Sequence, residues 1–428
     1  MLARKSRFGI FAKNIIMTRL FHNCSEIIQV ENQGRIFKRG AEMSEMPILK
    51  NAWILVADDR IKEIGVGALP EDSRYDEAID MEGKKLLPAF VDSHSHLVYA
   101  ANREDEFAMR LSGKSYAEIA EAGGGILNSA RKMTQASEEE LLADARKRLS
   151  ALVKMGTGTI EIKSGYGLST ETELKMLRVI RKLQAESPVS IKSTFLGAHA
   201  LPEEYKGRVD DYINLVIEEM LPAVAEESLA DYVDVFCEEG YFSLDQSMRV
   251  LEAAKAYGLS AKVHVNQFNS LGAIKPMVDM GAVSLDHLEV MDDAEVEYLA
   301  ESQTIATALP GCSLFLDISY TPGRKLIDKG AALALATDLN PGSAPSGNMA
   351  LMMGLACSQM KLRTEEALVA ATLNGAAAME LSDDLGSLEQ GKLANFLVLP
   401  QEFTLASIPY HMGHNLIEEV YLKGNKIV

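Results

Sequence analysis

Leu86-Leu87-Pro88-Ala89-Phe90-Val91-Asp92-Ser93-His94-Ser95-His96 is the stretch on which this chain turns. Its first six residues are apolar and predict one buried strand over 86–91. Side chains alternate along a strand. His94 and His96, two apart, therefore share a face and can reach one metal ion together. Two close histidines also occur in ordinary polar loops, so the pair needs support from elsewhere in the chain.

That support comes from the ends of other apolar runs. His199 follows Thr194-Phe195-Leu196-Gly197-Ala198, and His264 follows Ala261-Lys262-Val263. His287 follows Val283-Ser284-Leu285-Asp286, and Asp338 follows the run 332–337. The runs 157–163, 190–196, 232–237, 260–265, 282–285, 304–308 and 332–336 predict strands. Between them, 170–185 and 244–257 predict helices, as does 137–155, which Ser137 and Glu140 open as a capping box. About eight such strand–helix units predict a closed (β/α)8 TIM-type barrel over residues 86–391. A doubly wound open sheet is the alternative, but Gly123-Gly124-Gly125 follows no clear strand and reads as a loop, not a phosphate cradle.

The flanks differ. Strands over 52–56 and 60–65 frame a hairpin at Ala57-Asp58-Asp59. Near the other end, 394–399 predicts a strand, and 419–422 with 426–428 a second hairpin. Neither flank can bury a core alone, so 14–85 and 392–428 are expected to combine into a small β-sandwich domain. Residues 1–13 form a basic N-terminal extension carrying Arg4, Lys5, Arg7 and Lys13; an organelle presequence is the alternative.

Composition narrows the function. The 428 residues carry a net charge of −18, which argues against nucleic acid and anionic membrane as partners. No apolar run is long enough to span a bilayer. Four scattered cysteines without a C-x-x-C suggest neither a thiolate zinc knuckle nor a disulfide framework, and fit the cytoplasm.

In a closed barrel the carboxyl ends of all strands meet on one face. Five of the eight histidines lie at such ends, together with Asp338, too many for incidental packing. Imidazoles and a carboxylate suit a divalent first-row metal. His94, His96, His264 and Asp338 form the candidate ligand set, leaving a position for water. Asp338 is also the candidate proton acceptor, and His287 is free to orient water or polarise substrate. The reaction class is metal-assisted hydrolysis of a C–N bond.

The stretch 87–96 and Ala336-Thr337-Asp338 resemble the opening motif and eighth-strand aspartate of the amidohydrolase superfamily. Four further stretches resemble its imidazolonepropionase family: 123–127, Lys163-Ser164-Gly165-Tyr166-Gly167-Leu168 with 171–175, 194–200, and 336–343. The resemblance covers all but the basic extension. It implies hydrolytic ring opening of 4-imidazolone-5-propanoate to N-formimidoyl-L-glutamate, with one zinc or iron ion on His94, His96, His264 and Asp338. It also implies a mononuclear site, so Lys163 is assigned to structure or an ion pair with Glu161, not to a carbamylated bridge.

The resemblance further implies that Arg103 grips the propionate carboxylate, as a planar fork can and an ammonium cannot. A surface pair with Glu104 or Glu106 is the alternative for Arg103. Tyr166 and His199 would bond the ring or carboxylate, with Tyr116 as a helper. Asn340, Gly342 and Ser343 would present side-chain and backbone donors. Many relatives carry His-Ala-Asp-Glu after the fifth strand, whereas this chain reads His264-Val265-Asn266-Gln267. Gln267 can orient substrate but cannot take a proton. That difference keeps open another cyclic amidohydrolase or a deaminase on the same scaffold. A catalytically silent metal-binding relative is a third reading, disfavoured by the intact ligand positions. Barrels of this type often dimerise, so a homodimer is compatible with the resemblance.

Overall fold

The computed structural model describes residues 17–31, 34–70, 73–114, 118 and 124–428. The basic extension 1–13, Tyr116 and Gly123 lie outside the described residues.

Both ends of the chain build one mixed sheet. Its order runs Asn425–Lys426, Glu419–Leu422, Phe396–Leu399, Lys85–Pro88, Thr18–Ile28, Ile48–Ala57, Arg60–Val66, with Glu77–Asp80 also paired to Thr18–Ile28. The expected joining of the two flanks is therefore present, as a single eight-stranded sheet. Phe21, Phe396 and Tyr421 pack at its core with ring centres 4.8–5.1 Å apart. The first hairpin pairs Ala57 with Arg60, and Asp58 takes φ +54° in the turn, a conformation aspartate tolerates. The last hairpin turns at Lys423-Gly424, so Asn425–Lys426 returns in place of the expected 426–428.

The middle of the chain supplies eight parallel strands in sequence order: Phe90–Asp92, Thr157–Lys163, Ser190–Ala198, Tyr232–Cys237, Ser260–Val265, Ser284–His287, Ile305–Ala308 and Leu333–Leu335. Helices alternate with them. Glu138–Lys154 begins with the Ser137–Glu140 capping box, and Thr170–Glu186 begins at Ser169, whose side chain accepts the Thr172 N–H. First and last strands meet through the Ser95–Leu339 bridge, with Asp338 N–H donating to His94 O at 3.0 Å and His96 N–H to Leu339 O at 2.8 Å. Buried Asp92 staples the same seam, accepting the Thr337 amide at 2.9 Å and its hydroxyl at 2.6 Å.

The run 86–91 is not one strand. Lys85–Pro88 belongs to the small sheet, pairing with Phe396–Leu399 and Thr18–Ile28, whereas Phe90–Asp92 opens the barrel. The handover takes one residue: Ala89 N–H donates to Asn395 O at 3.1 Å and Phe90 N–H to Gly156 O at 3.0 Å. Both sheets bury this segment, so the apolar run continues across the change. The sixth barrel strand also begins later than expected, at Ser284, which makes His287 its final residue.

Candidate active site

The carboxyl ends of the barrel strands surround a cavity of about 450 Å3, within the range of small-molecule sites. His96, Arg103, Tyr166, His199, His264, Gln267, His287, Asp338, Asn340, Gly342 and Ser343 line it; His94 lies just behind, fully buried.

His94, His96 and His264 each bring a ring nitrogen within 4.8 Å of the others. The Asp338 carboxylate stands 3.5 Å from Nε2 of both His94 and His96. Two carboxylates fix the far sides of the imidazoles. Asp286 Oδ2 lies 2.6 Å from His94 Nδ1, and Asp234 Oδ2 lies 2.8 Å from His264 Nδ1. A carboxylate accepts only, so His94 Nδ1, hydrogen-bonded to Asp286, carries the proton and its Nε2 presents a lone pair. Among the described residues Nε2 of both His94 and His264 is buried with no hydrogen-bond partner, as suits a metal ligand; His264 Nδ1 makes no hydrogen bond either, and its contact with Asp234 is an ion-pair distance. Burial, then neighbouring Lys163, holds the His94 imidazole well below its ordinary pKa and keeps it neutral. Burial, then neighbouring His199, does the same for His96. The donor set thus fits a divalent ion.

Backbone conformation helps aim these groups. Asp338 takes φ +54° and His287 φ +84°, left-handed values that side chains rarely adopt. Burial alone would lower the His287 pKa, but Glu289, 3.4 Å from Nδ1, raises it. The His199 imidazole bonds Gly165 O at 2.9 Å and stacks on His96 with ring centres 5.2 Å apart. Burial, reinforced by His264, lowers its pKa to about 3. Tyr166 is held by its loop: the Glu173 carboxylate accepts the Gly165 amide at 3.0 Å, Gly167 at 2.6 Å and Leu168 at 2.9 Å. A Cβ at Gly167 would stand 2.5 Å from Glu173 N, so this close approach needs glycine.

Arg103 faces two ways. Its Nε and Nη2 donate to Glu106 Oε2 at 2.7 and 2.6 Å, so an ion pair with Glu106 is present. The pair is half-buried at the cavity wall, and Nη1 packs so closely on Gly342 that a Cβ there would collide with it. Asn340 serves its own loop. Its Oδ1 accepts the Gly342 and Ser343 amides at 2.8 and 2.7 Å, which occupies the backbone donors expected to face a ligand. Gln267 Nε2 donates to Cys312 Sγ at 3.3 Å. Lys163 pairs with Glu161 at 2.6 Å, as expected, and also with Asp234 at 2.8 Å. Burial opposes its charge, but Asp234, Glu161 and Asp286 together raise its pKa, so it stays an ammonium and not a carbamate-forming amine. Asp234 and Asp286 were not singled out in the sequence. Their signal is faint: one charged residue inside each of two apolar strands.

The amidohydrolase family model matches residues 86–427. The imidazolonepropionase of Christiangramia forsetii is 52% identical over 411 residues, covering 96% of this chain and 100% of the relative. That of Flavobacterium johnsoniae is 50% identical over 412 residues, with the same coverage. Among solved structures, the triazine hydrolase of Arthobacter aurescens superposes with a TM-score of 0.74 at 17% identity, covering 96% of this chain and 95% of that one. A zinc-bound adenosine deaminase of Xanthomonas campestris gives 0.69 at 16% identity, covering 96% and 92%. These two show the fold. Family model and full-length relatives together place the chain in the amidohydrolase family, among the imidazolonepropionases.

Proposed function

We propose that this protein opens the ring of 4-imidazolone-5-propanoate with water, giving N-formimidoyl-L-glutamate. The observation that carries the reading is one cavity holding both a three-histidine cluster with Asp338 and the Arg103 guanidinium. His94, His96, His264 and Asp338 would hold one ion, zinc or iron. Such an ion supplies Lewis acidity toward water and the ring carbonyl. Arg103 pairs with the propionate, and Tyr166 and His199 bound the ring. Asp338 takes a proton from the attacking water and returns it to the departing ring nitrogen. His287 donates to the carbonyl oxygen as charge gathers there. The C–N bond beside the carbonyl breaks, the water oxygen ends in the new carboxylate, and Gln267 orients without exchanging a proton. Four unpaired cysteines suit a cytoplasmic setting.

Gln267 and the Arg103–Glu106 pair favour one competitor: a cyclic amidohydrolase or deaminase acting on a neutral ring. The two readings separate when loss of imidazolone absorbance is followed with metal-loaded protein, using the propionate substrate and the same ring without its side chain. Strong preference for the propionate supports the proposal. Equal turnover of both, or deamination of a nucleobase alone, favours the competitor.

A further inference from the structure

Beneath the histidines, Glu161, Lys163, Asp234, Lys262 and Asp286 are charged side chains with no exposure. Apolar residues of similar size would fill this space at no cost in desolvation, so the charges call for a reason. Their contacts form one connected set. Lys163 Nζ lies 2.6 Å from Glu161 Oε1, 2.8 Å from Asp234 Oδ2 and 3.7 Å from Asp286 Oδ2. Lys262 pairs with the other oxygen of Glu161 and donates to Ser93 O at 2.8 Å, beside His94. Asp234 and Asp286 are the carboxylates that hold Nδ1 of His264 and His94. A single ammonium therefore touches both carboxylates behind two of the three histidines.

We propose that Lys163 is the positioning residue of the metal centre, tying Asp234 and Asp286 together so that His264 and His94 present Nε2 to one point. The inference rests on the reading of these histidines as ligands. Without the ammonium, two buried carboxylates lose their shared counter-charge, and both imidazoles lose a fixed carboxylate neighbour. The groups behind metal-bound histidines commonly set affinity by about 10- to 100-fold.

The test is zinc affinity, measured by competition with a chromophoric chelator on the full chain. Lys163→Met is compared with wild type and with Lys38→Met, which breaks another buried pair, Lys38–Glu31 at 2.5 Å, in a different part of the fold. Lys163→Met should fold and bind zinc about 10- to 100-fold more weakly, whereas Lys38→Met should bind like wild type. Turnover per bound ion should recover at saturating zinc. Wild-type affinity in folded Lys163→Met overturns the proposal, as does an equal loss in Lys38→Met. If Lys163→Met does not fold, Lys163→Gln with Glu161→Gln preserves the net charge of the cluster and leaves Asp234 and Asp286 in place. That variant should also bind weakly; wild-type affinity, or failure to fold, overturns the assignment. Wild-type protein that binds neither zinc nor iron instead contradicts the metal reading itself.

Discussion

Arg103 is the residue that our proposal assigns to the substrate carboxylate, and it lines the cavity. Its guanidinium is held by Glu106 and pressed against Gly342, so its position is set before any carboxylate arrives. Arg103→Ala should lower kcat/KM for the propionate substrate by about 2–3 kcal/mol, roughly a hundredfold, with little change for the ring alone. An unchanged value in steady-state kinetics would reduce the residue to a partner of Glu106. His199 gives a second test at this scale. Its folded pKa of about 3 lies below the ordinary histidine value, so the unfolded chain binds the proton more tightly. The stability it contributes is present above about pH 6.5 and is lost as pH falls toward 3. Thermal melts of metal-free protein should show wild type losing stability over that range more steeply than His199→Gln. Parallel curves would contradict the burial of a neutral imidazole. The histidines were legible because polar residues ending apolar strands have few other uses. Asp286 was not, because its partner His94 lies 192 positions away and only barrel closure brings them together.

At the scale of elements, the loop 164–168 shows how a helix can aim a side chain. Glu173, in the first turn of Thr170–Glu186, turns its carboxylate back onto three loop amides. Glu173→Gln puts an amide donor against another donor. It should cost about 1–3 kcal/mol of stability and raise KM through a displaced Tyr166. Denaturant melts and steady-state kinetics check both, and an unaltered KM would separate the loop from substrate binding. Sequence periodicity located most barrel strands to within a residue or two, because strand–helix alternation is a strong local signal. It could not divide 86–91 between two sheets. That division depends on which strands lie alongside, Phe396–Leu399 on one side and Thr157–Lys163 on the other, and both bury the segment alike.

At the scale of the whole molecule, the two ends of the chain interlock in one sheet while the middle closes a barrel whose seam carries His94, His96 and Asp338. A metal bound at that seam joins the first strand to the fifth and eighth, so binding and folding should be coupled. Removing the ion with a chelator should lower the melting temperature. The lost stabilisation is about 2.7 kcal/mol where free metal had stood at a hundred times its dissociation constant. A melt indifferent to chelation would mean that no ion bridges the seam. The most direct test of the central claim is a titration of metal-free protein with zinc or iron(II) while turnover of 4-imidazolone-5-propanoate is recorded and the product weighed by mass spectrometry. Activity should rise to a break at one ion per chain, with a product heavier than the substrate by one water. A fully loaded protein that leaves the imidazolone intact would contradict the account.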